Sequence, residues 1–274
     1  MSPYQENNTP STPIVYVIGA GIRGRKHLTL EAISFLKQAS LVLFFPCETI
    51  SKDWLENNLG VACAESLHAL YQDGARDEDN YTRIVNRILE SANEVSTVAV
   101  LMPGHPRVGV TWIADLEIAK YNGNIQLRVV DGISSVDTMI SDLKRDPLEH
   151  GALIVDANRI LLYNLNLDPR LDHYIYHVCS VGTSQTNVSD PTVLNRLDLL
   201  KLWLLRSFPP SHQVNLVQSR IISGTDGIIA ASALNNLESL LPLITFSTSL
   251  FVPGIEVPNE QIDKDFLNLL KGSA

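Results

Sequence analysis

The sequence predicts an α/β protein made of two α/β domains. Three observations point there. Short, uninterrupted apolar runs alternate with stretches of helical spacing, the pattern of a mostly parallel sheet covered by helices. At 274 residues the chain is long for one small domain and comfortable for two modest ones. Apolar residues at 45% and charged residues at 19% allow packed interiors and exclude disorder across the whole chain.

The elements follow in order. Residues 1–12, polar and rich in Pro, Ser, Thr and Asn, read as a flexible tail. Ile14 to Ile18 is a buried strand closed by Gly19. A long loop runs through Gly19-Ala20-Gly21-Ile22-Arg23-Gly24-Arg25-Lys26-His27. A helix then starts at Thr29, whose hydroxyl suits an N-cap, with Glu31 in the first turn near the positive helix end. Leu41–Phe45, Thr97–Met102 and Ile125–Val130 are further strands, with helices expected at 51–58, 80–92, 111–121 and 135–143. Asp146-Pro147 breaks the pattern, so a first α/β domain is drawn at 13–150 and a second at 151–256. Strands are expected there at Ala152–Asp156, Tyr174–Val181, Val214–Gln218 and Phe246–Val252, and helices at 191–206 and 231–241. Residues 257–274 read as a tail with an amphipathic helix at 258–271.

Charge and composition narrow the function. A net charge of −9 and a pI of about 5.2 repel phosphate backbones, which argues against a long grip on DNA or RNA. Cys47, Cys63 and Cys179 form neither a metal spacing nor an even disulfide framework, as suits a reducing cytoplasm. No apolar run reaches the roughly 18–20 residues that span a bilayer. The N-terminus has no basic-then-apolar signal segment, so no export is expected.

Four motifs carry chemistry. Gly19-Ala20-Gly21-Ile22-Arg23-Gly24 is literally GxGxxG after a strand, where glycine lets backbone approach a ligand. The dinucleotide version needs an acid at the end of the next strand. Phe45-Pro46-Cys47 stands there instead, so another ligand loop, or a plain strand-to-helix turn, fits better. Met102-Pro103-Gly104-His105-Pro106 is a rigid shaped loop after a strand. Asp131-Gly132-Ile133-Ser134-Ser135 follows another, with Ser134 and Ser135 either ligand contacts or helix caps. Three glycine-bearing turns at three strand ends can converge on one pocket. The fourth motif, His68 to Tyr81, gathers two phenols, an imidazole, a guanidinium and several acids. It is either a solvated turn or a cluster that orients and deprotonates a substrate. His173 and His177 alternate to one strand face, as packing or pocket lining. No His/Cys pattern supports a metal.

In this order the motifs resemble the tetrapyrrole methylase superfamily, S-adenosylmethionine-dependent methyltransferases with two α/β domains and the cofactor between them. Gly104-His105-Pro106 sits where that family usually carries Gly-Asp-Pro, and Asp131-Gly132-Ile133-Ser134-Ser135 where it carries Pro-Gly-x-Ser-Ser. Gly-His-Pro, Gly-Ile-Ser, Tyr71-Gln-Asp-Gly, Tyr81 and the late Ser247-Thr-Ser-Leu-Phe-Val-Pro253 look like the borosin branch, which methylates backbone amide nitrogens of a ribosomal peptide. The resemblance covers roughly residues 14–254 and implies cofactor contacts from Gly19, Gly21, Pro103, Gly104, His105, Val108, Ser134, Ser135, His177 and Ser249. That branch uses two tyrosines three residues apart, an arginine and a further tyrosine. Tyr71 and Tyr81 match the second and third tyrosines. His68 stands at the first, Arg76 one place before the arginine, and Asp77 in the arginine's own slot. The implied roles are Tyr71 as base, Arg76 lowering its pKa, Tyr81 on the amide oxygen and His68 as relay. Fused borosin enzymes carry a clasp and substrate after this point. The chain ends about twenty residues beyond Pro253, so a split type is expected, homodimeric and acting on a separate precursor peptide. A superfamily member acting on a tetrapyrrole or other small molecule, or a decayed cofactor-binding module, is the alternative.

Overall fold

The computed structural model describes residues 12–47, 49–220 and 227–272. The expected tail lies outside them as far as residue 11. The chain divides into two units. Unit 1 is Met1–Asp142 with Ser184–Asp190 and Ser219–Gly227; unit 2 is Leu143–Thr183, Pro191–Gln218 and Ile228–Ala274. The division thus follows Asp142 rather than residue 150, and two later segments belong with the first unit. Asp146-Pro147 opens a short helix instead, with Asp146 capping Leu148 N at 2.9 Å.

In unit 1, β1 (Ile14–Gly19) leads to α1 (Leu30–Gln38), β2 (Leu41–Phe44), β3 (Ala64–Ser66), α2 (Asp77–Glu94), β4 (Thr97–Met102), α3 (Ile113–Tyr121), β5 (Gln126–Val130) and α4 (Ser135–Leu143). The helix expected at 51–58 is a wide π-type turn, Trp54–Leu59. The five strands form one sheet in the order β3-β2-β4-β1-β5, every neighbouring pair parallel. Continuous apolar runs arise because both faces of this sheet are covered. Val15, Val17, Leu43, Val98 and Val100 pack with Ile84 and Ile88 of α2 and Leu116 of α3. The alternate residues Tyr16, Ile18, Val42, Phe44, Ala99 and Leu101 pack with Ala32 and Leu36 of α1. Thr29 caps α1 as the sequence predicts, its Oγ1 accepting from Ala32 N at 3.0 Å. Leu36 is wholly buried. Leu36→Ala is therefore expected to cost about 2–5 kcal/mol in urea denaturation, the price of lost transfer energy plus a cavity.

Unit 2 contains α5 (Pro147–His150), β6 (Ala152–Asp156), α6 (Ala157–Leu162), β7 (Asp172–Tyr176), α7 (Leu197–Leu204), β8 (Gln213–Gln218), β9 (Ile228–Ala233), β10 (Ser249–Val252) and α8 (Lys264–Leu270). The sheet order is β6-β7-β10-β8-β9, with only β6 and β7 parallel. The helix expected at 231–241 is in fact the end of β9 followed by tight 3-10 turns, Leu234–Leu243, which Asn236 interrupts and Pro242 enters. β9 pairs with β8 from Gln213↔Ala233 to Gln218↔Ile228, and those ladder bonds outweigh local preference. The strand expected through Val181 stops at Tyr176, because His177 adopts a left-handed backbone at φ 55°. The helix expected at 191–206 shortens to α7. No described helix is long and apolar enough to cross a membrane.

Candidate active site

All strands of unit 1 run the same way, so the loops after β1, β3, β4 and β5 leave one carboxyl edge, where open α/β sheets bind ligands. Three of these loops meet through glycines. A Cβ on Gly19 would stand 2.6 Å from Gly104 O and 2.8 Å from the Cα and N of Gly132. A Cβ on Gly132 would collide with the same Gly104 carbonyl. Gly21 and Gly104 exchange backbone bonds, Gly21 N to Gly104 O at 3.1 Å and Gly104 N to Gly21 O at 3.0 Å. Gly104 itself, at φ 72°, has only Ile22 Cδ1 near its missing Cβ, at 3.7 Å. Its backbone thus stays open on that side. Gly132→Ala would press one loop's side chain against the backbone of two others. It is expected to cost about 1–3 kcal/mol, read as a lowered urea midpoint, as overpacking does where nothing flexible can yield.

Side chains stiffen this junction. His105 Nδ1 accepts from Arg107 N at 3.0 Å, which leaves the proton on Nε2, 3.4 Å from Asp131 Oδ1 on the neighbouring loop. Val108 N closes a turn on His105 O at 3.0 Å, and Pro103 is exposed. Ser134 acts as the N-cap of α4: its Oγ accepts from Asp137 N at 3.4 Å and donates to Asp137 Oδ2 at 2.7 Å, and that same carboxylate accepts from Ser134 N at 2.7 Å. Ser135 O accepts from Thr138 Oγ1 at 3.0 Å. In the first loop, His27 Nδ1 accepts from Ile22 N and Arg23 N at 3.3 and 3.4 Å. Partial burial and the nearby Arg23 charge lower its pKa, as fits an acceptor nitrogen.

The loop after β3 carries Tyr71. Its Oη donates to Asp77 Oδ1 at 3.0 Å. The backbone around it is clamped from α2. Asn80, wholly buried, accepts from Gln72 N at 2.8 Å and donates to Gln72 O at 3.2 Å. Arg83 Nε donates to Leu70 O at 3.0 Å, and its Nη2 reaches Asn80 Oδ1. Asp77 in turn accepts from Thr186 N at 3.1 Å and from Thr186 Oγ1 at 2.9 Å, and Asp77 N donates to Ser184 O at 2.8 Å. Asp73 holds the same 184–190 segment through Val188 N at 2.7 Å and Ser189 N at 3.1 Å. The hydrogen bonds from Ser189 and Val188 keep the Asp73 carboxyl below the usual range.

Two implied roles change here. Arg76 is exposed and pairs with Glu78 at 2.7 Å, while Asp77 sits against the phenol. Tyr71's pKa is accordingly pushed up, not down: burial leads, and the Asp77 charge and hydrogen bond and the Tyr81 phenol add to it. His68 is exposed at the head of a single 3-10 turn, His68–Leu70. Tyr81 is half-buried and packs against the α2 side of the core. In the sequence Asp77 reads only as the occupant of the arginine's slot, and Asn80, Arg83 and Thr186 carry no expected role. Asn80 and Arg83 read as polar residues of a surface helix, and Thr186 lies more than a hundred residues away.

The two implied contacts in unit 2 occupy strand ends. His177 Nδ1 lies 2.6 Å from Asp156 Oδ2. Burial alone would raise the Asp156 pKa, but the bonds from His177 and from Arg159 N outweigh it and lower it. The turn after His177 is tied by Asn158, which donates to Ser180 O at 2.8 Å and accepts from Gly182 N at 2.7 Å. Ser249 is buried at the start of β10, opposite Val217. Among the described residues, no three His, Cys, Asp or Glu side chains gather to hold a metal ion.

Known proteins share this pattern. The profile of the Tetrapyrrole (Corrin/Porphyrin) Methylases matches residues 14–159. The methyltransferase/ribosomally synthesized type II borosin cyclic peptide precursor of Phlebiopsis gigantea is 26% identical over 258 residues, 93% of this chain and 45% of its own. The type I borosin counterpart from Gymnopilus junonius is 24% identical over 90% of this chain and 58% of its own. The chain thus spans about half the length of the curated relatives it matches. Among solved structures, uroporphyrin-III-C-methyltransferase from Thermus thermophilus superposes with a TM-score of 0.61 at 21% identity, covering 88% of this chain and 92% of that one. At that identity the likeness speaks for the fold alone. With more than half of its residues matched by the family profile and the same two-unit α/β architecture, the chain belongs to the tetrapyrrole (corrin/porphyrin) methylase family.

Proposed function

We propose that the protein is an S-adenosylmethionine-dependent methyltransferase that methylates backbone amide nitrogens of a precursor peptide carried on a separate protein. The observation that carries this reading is the phenol of Tyr71, held by Asp77 on a loop whose backbone Asn80 and Arg83 clamp, on the same sheet edge as the three converging glycine loops. The borosin names of the curated relatives support a peptide substrate. A homodimer, with the partner completing the peptide's path, belongs to the same proposal.

The cofactor fits the residues present. Glycines bring three backbones together, and Gly104 leaves its own backbone uncovered on one side. Pro103, Gly104, His105 and Val108 would hold it with Gly19, Gly21, Ser134 and Ser135, and the family resemblance adds His177 and Ser249. When bound, the cofactor supplies an activated methyl group on a sulfonium. The protein's own task is the acceptor. An amide nitrogen is a poor nucleophile because its lone pair is delocalised into the carbonyl. Tyr71 removes the amide proton, and Tyr81 donates to the amide oxygen as charge gathers there. Holding the amide rigidly in line supplies the rest of the advantage.

The test has two arms. Calorimetric titration with S-adenosylhomocysteine, beside an NADH control, should give tight binding of the former alone. Pooled synthetic apolar peptides incubated with S-adenosylmethionine should gain methyl groups on backbone nitrogens, located by fragmentation mass spectrometry. No binding of S-adenosylhomocysteine by cofactor-free protein would sink the methyltransferase reading. Transfer to a tetrapyrrole and to no peptide would replace the substrate class.

A further inference from the structure

Resting on the methyltransferase reading, we propose that Asp77 is the proton acceptor behind Tyr71, so that the amide proton leaves through a tyrosine–carboxylate relay. In the step, the substrate nitrogen's proton moves to Tyr71 Oη as the phenol's own proton moves to Asp77 Oδ1. The electron pair of the broken N–H bond forms the new N–C bond. The methyl–sulfur bond breaks with its electrons staying on sulfur. Tyr71 ends as it began, and Asp77 ends protonated, so atoms and charge balance.

The geometry carries this. Tyr71 donates to Asp77 Oδ1 at 3.0 Å, so the path for the second proton is already a hydrogen bond. The carboxylate accepts two further bonds, from Thr186 N at 3.1 Å and Thr186 Oγ1 at 2.9 Å. Such an all-acceptor role belongs to the ionised form, ready to take a proton. Asp77 also opens α2, where the helix end favours its negative charge. The phenol, by contrast, is held protonated by burial and by the same carboxylate. A free phenolate base is therefore scarce near neutral pH, and a phenol that gives up its proton as it takes another meets the need. Arg76, turned to Glu78, offers the phenolate no support. Asp77 touches Tyr71 rather than the reacting amide, so it is a positioning and proton-accepting residue.

Asp77→Asn keeps an oxygen for Thr186 and Tyr71 but removes the acceptor. Its kcat on the peptide pool is expected to fall about 10²–10⁴-fold with KM nearly unchanged. Asp77→Glu should recover part of that loss, and the wild type's solvent deuterium isotope effect should shrink in Asp77→Asn. A readout without cofactor is the ionisation of Tyr71, followed by NMR of the protein labelled at tyrosine Cζ and assigned with Tyr71→Phe. Around this phenol the groups that set its titration are Asp77, Tyr81 and Thr186, and Asp77→Asn should bring its pKa down. An unchanged Tyr71 titration, or Asp77→Asn turning over like wild type while Tyr71→Phe is inactive, overturns the relay and leaves the parent reading standing. Wild-type turnover by Tyr71→Phe overturns the relay together with Tyr71's role as base and leaves the methyltransferase reading standing, whereas no transfer by the wild type to any peptide overturns both.

Discussion

Tyr71→Phe is expected to cut methyl transfer by about 10²–10⁴-fold and to leave the affinity for S-adenosylhomocysteine unchanged. The loss corresponds to about 3–5 kcal/mol of transition-state free energy. The fold should barely register it. The substitution removes the hydrogen bond from Oη to Asp77 at 3.0 Å, while Asp77 keeps both bonds from Thr186. A single such bond is worth about 0.5–1.5 kcal/mol. Asn80 and Arg83 hold the loop through its backbone, so the phenylalanine ring stays where the tyrosine ring was. The two ranges do not overlap, which separates chemistry from stability. Wild-type turnover in the variant would end Tyr71's role as base. The exposed Arg76–Glu78 pair provides a contrast, since Arg76→Ala should change stability by less than about 1 kcal/mol.

Much of unit 1 was legible in the sequence because local and tertiary signals agree there. β1 and β4 are apolar along nearly their whole length, since helices cover both sheet faces, and that leaves few readings besides a buried strand. Thr29 announces α1 through its own side chain. The glycines of three separate motifs could be read as convergent, and they meet as backbone contacts. What escaped notice depends on distant partners. β3 is three residues long and shows no period of its own. β9, Ile-Ile-Ala-Ala-Ser-Ala, fits a strand or a helix equally by pattern, and only β8 decides between them. The 184–190 segment joins unit 1 through Asp73 and Asp77, more than a hundred residues earlier in the chain. The same is true of the reactive cluster. Tyr71 and Tyr81 could be found by motif, yet which charge meets the phenol turns on one position, Arg76 or Asp77. A helix start puts adjacent residues on different sides, so one-residue spacing settles what list-like matching cannot.

Arg145→Ala is expected to destabilise the protein by about 3–5 kcal/mol. Asp172, at the start of β7, is wholly buried. Arg145 grips it with two parallel bonds, Nε to Oδ2 and Nη2 to Oδ1, both at 2.9 Å, and Gly254 N adds a third at 2.8 Å. Without the guanidinium, a buried carboxylate keeps only the Gly254 bond. Asp172→Asn should cost less, because Arg145 is partly exposed and can turn to water, whereas the carboxylate cannot. Replacing both by Met and Leu should recover most of the loss, since burying an ion pair gains little over apolar packing. The pH dependence separates these cases by sign. Burial raises the Asp172 pKa, but the Arg145 and Gly254 bonds outweigh that and hold it below its unfolded value. The wild-type contribution is therefore complete above about pH 3.9 and is lost as pH falls through the lower folded value. In Arg145→Ala only the Gly254 bond and the His150 charge still oppose burial, the largest single effect, so the folded pKa is expected to rise above the unfolded one. That variant should then gain stability, relative to wild type, as pH drops from about 7 toward 4, where protonation relieves the buried charge. Urea midpoints at the two pH values give the answer. A gap between the proteins that stays constant or widens on acidification would mean that Asp172 is not the buried charge Arg145 neutralises.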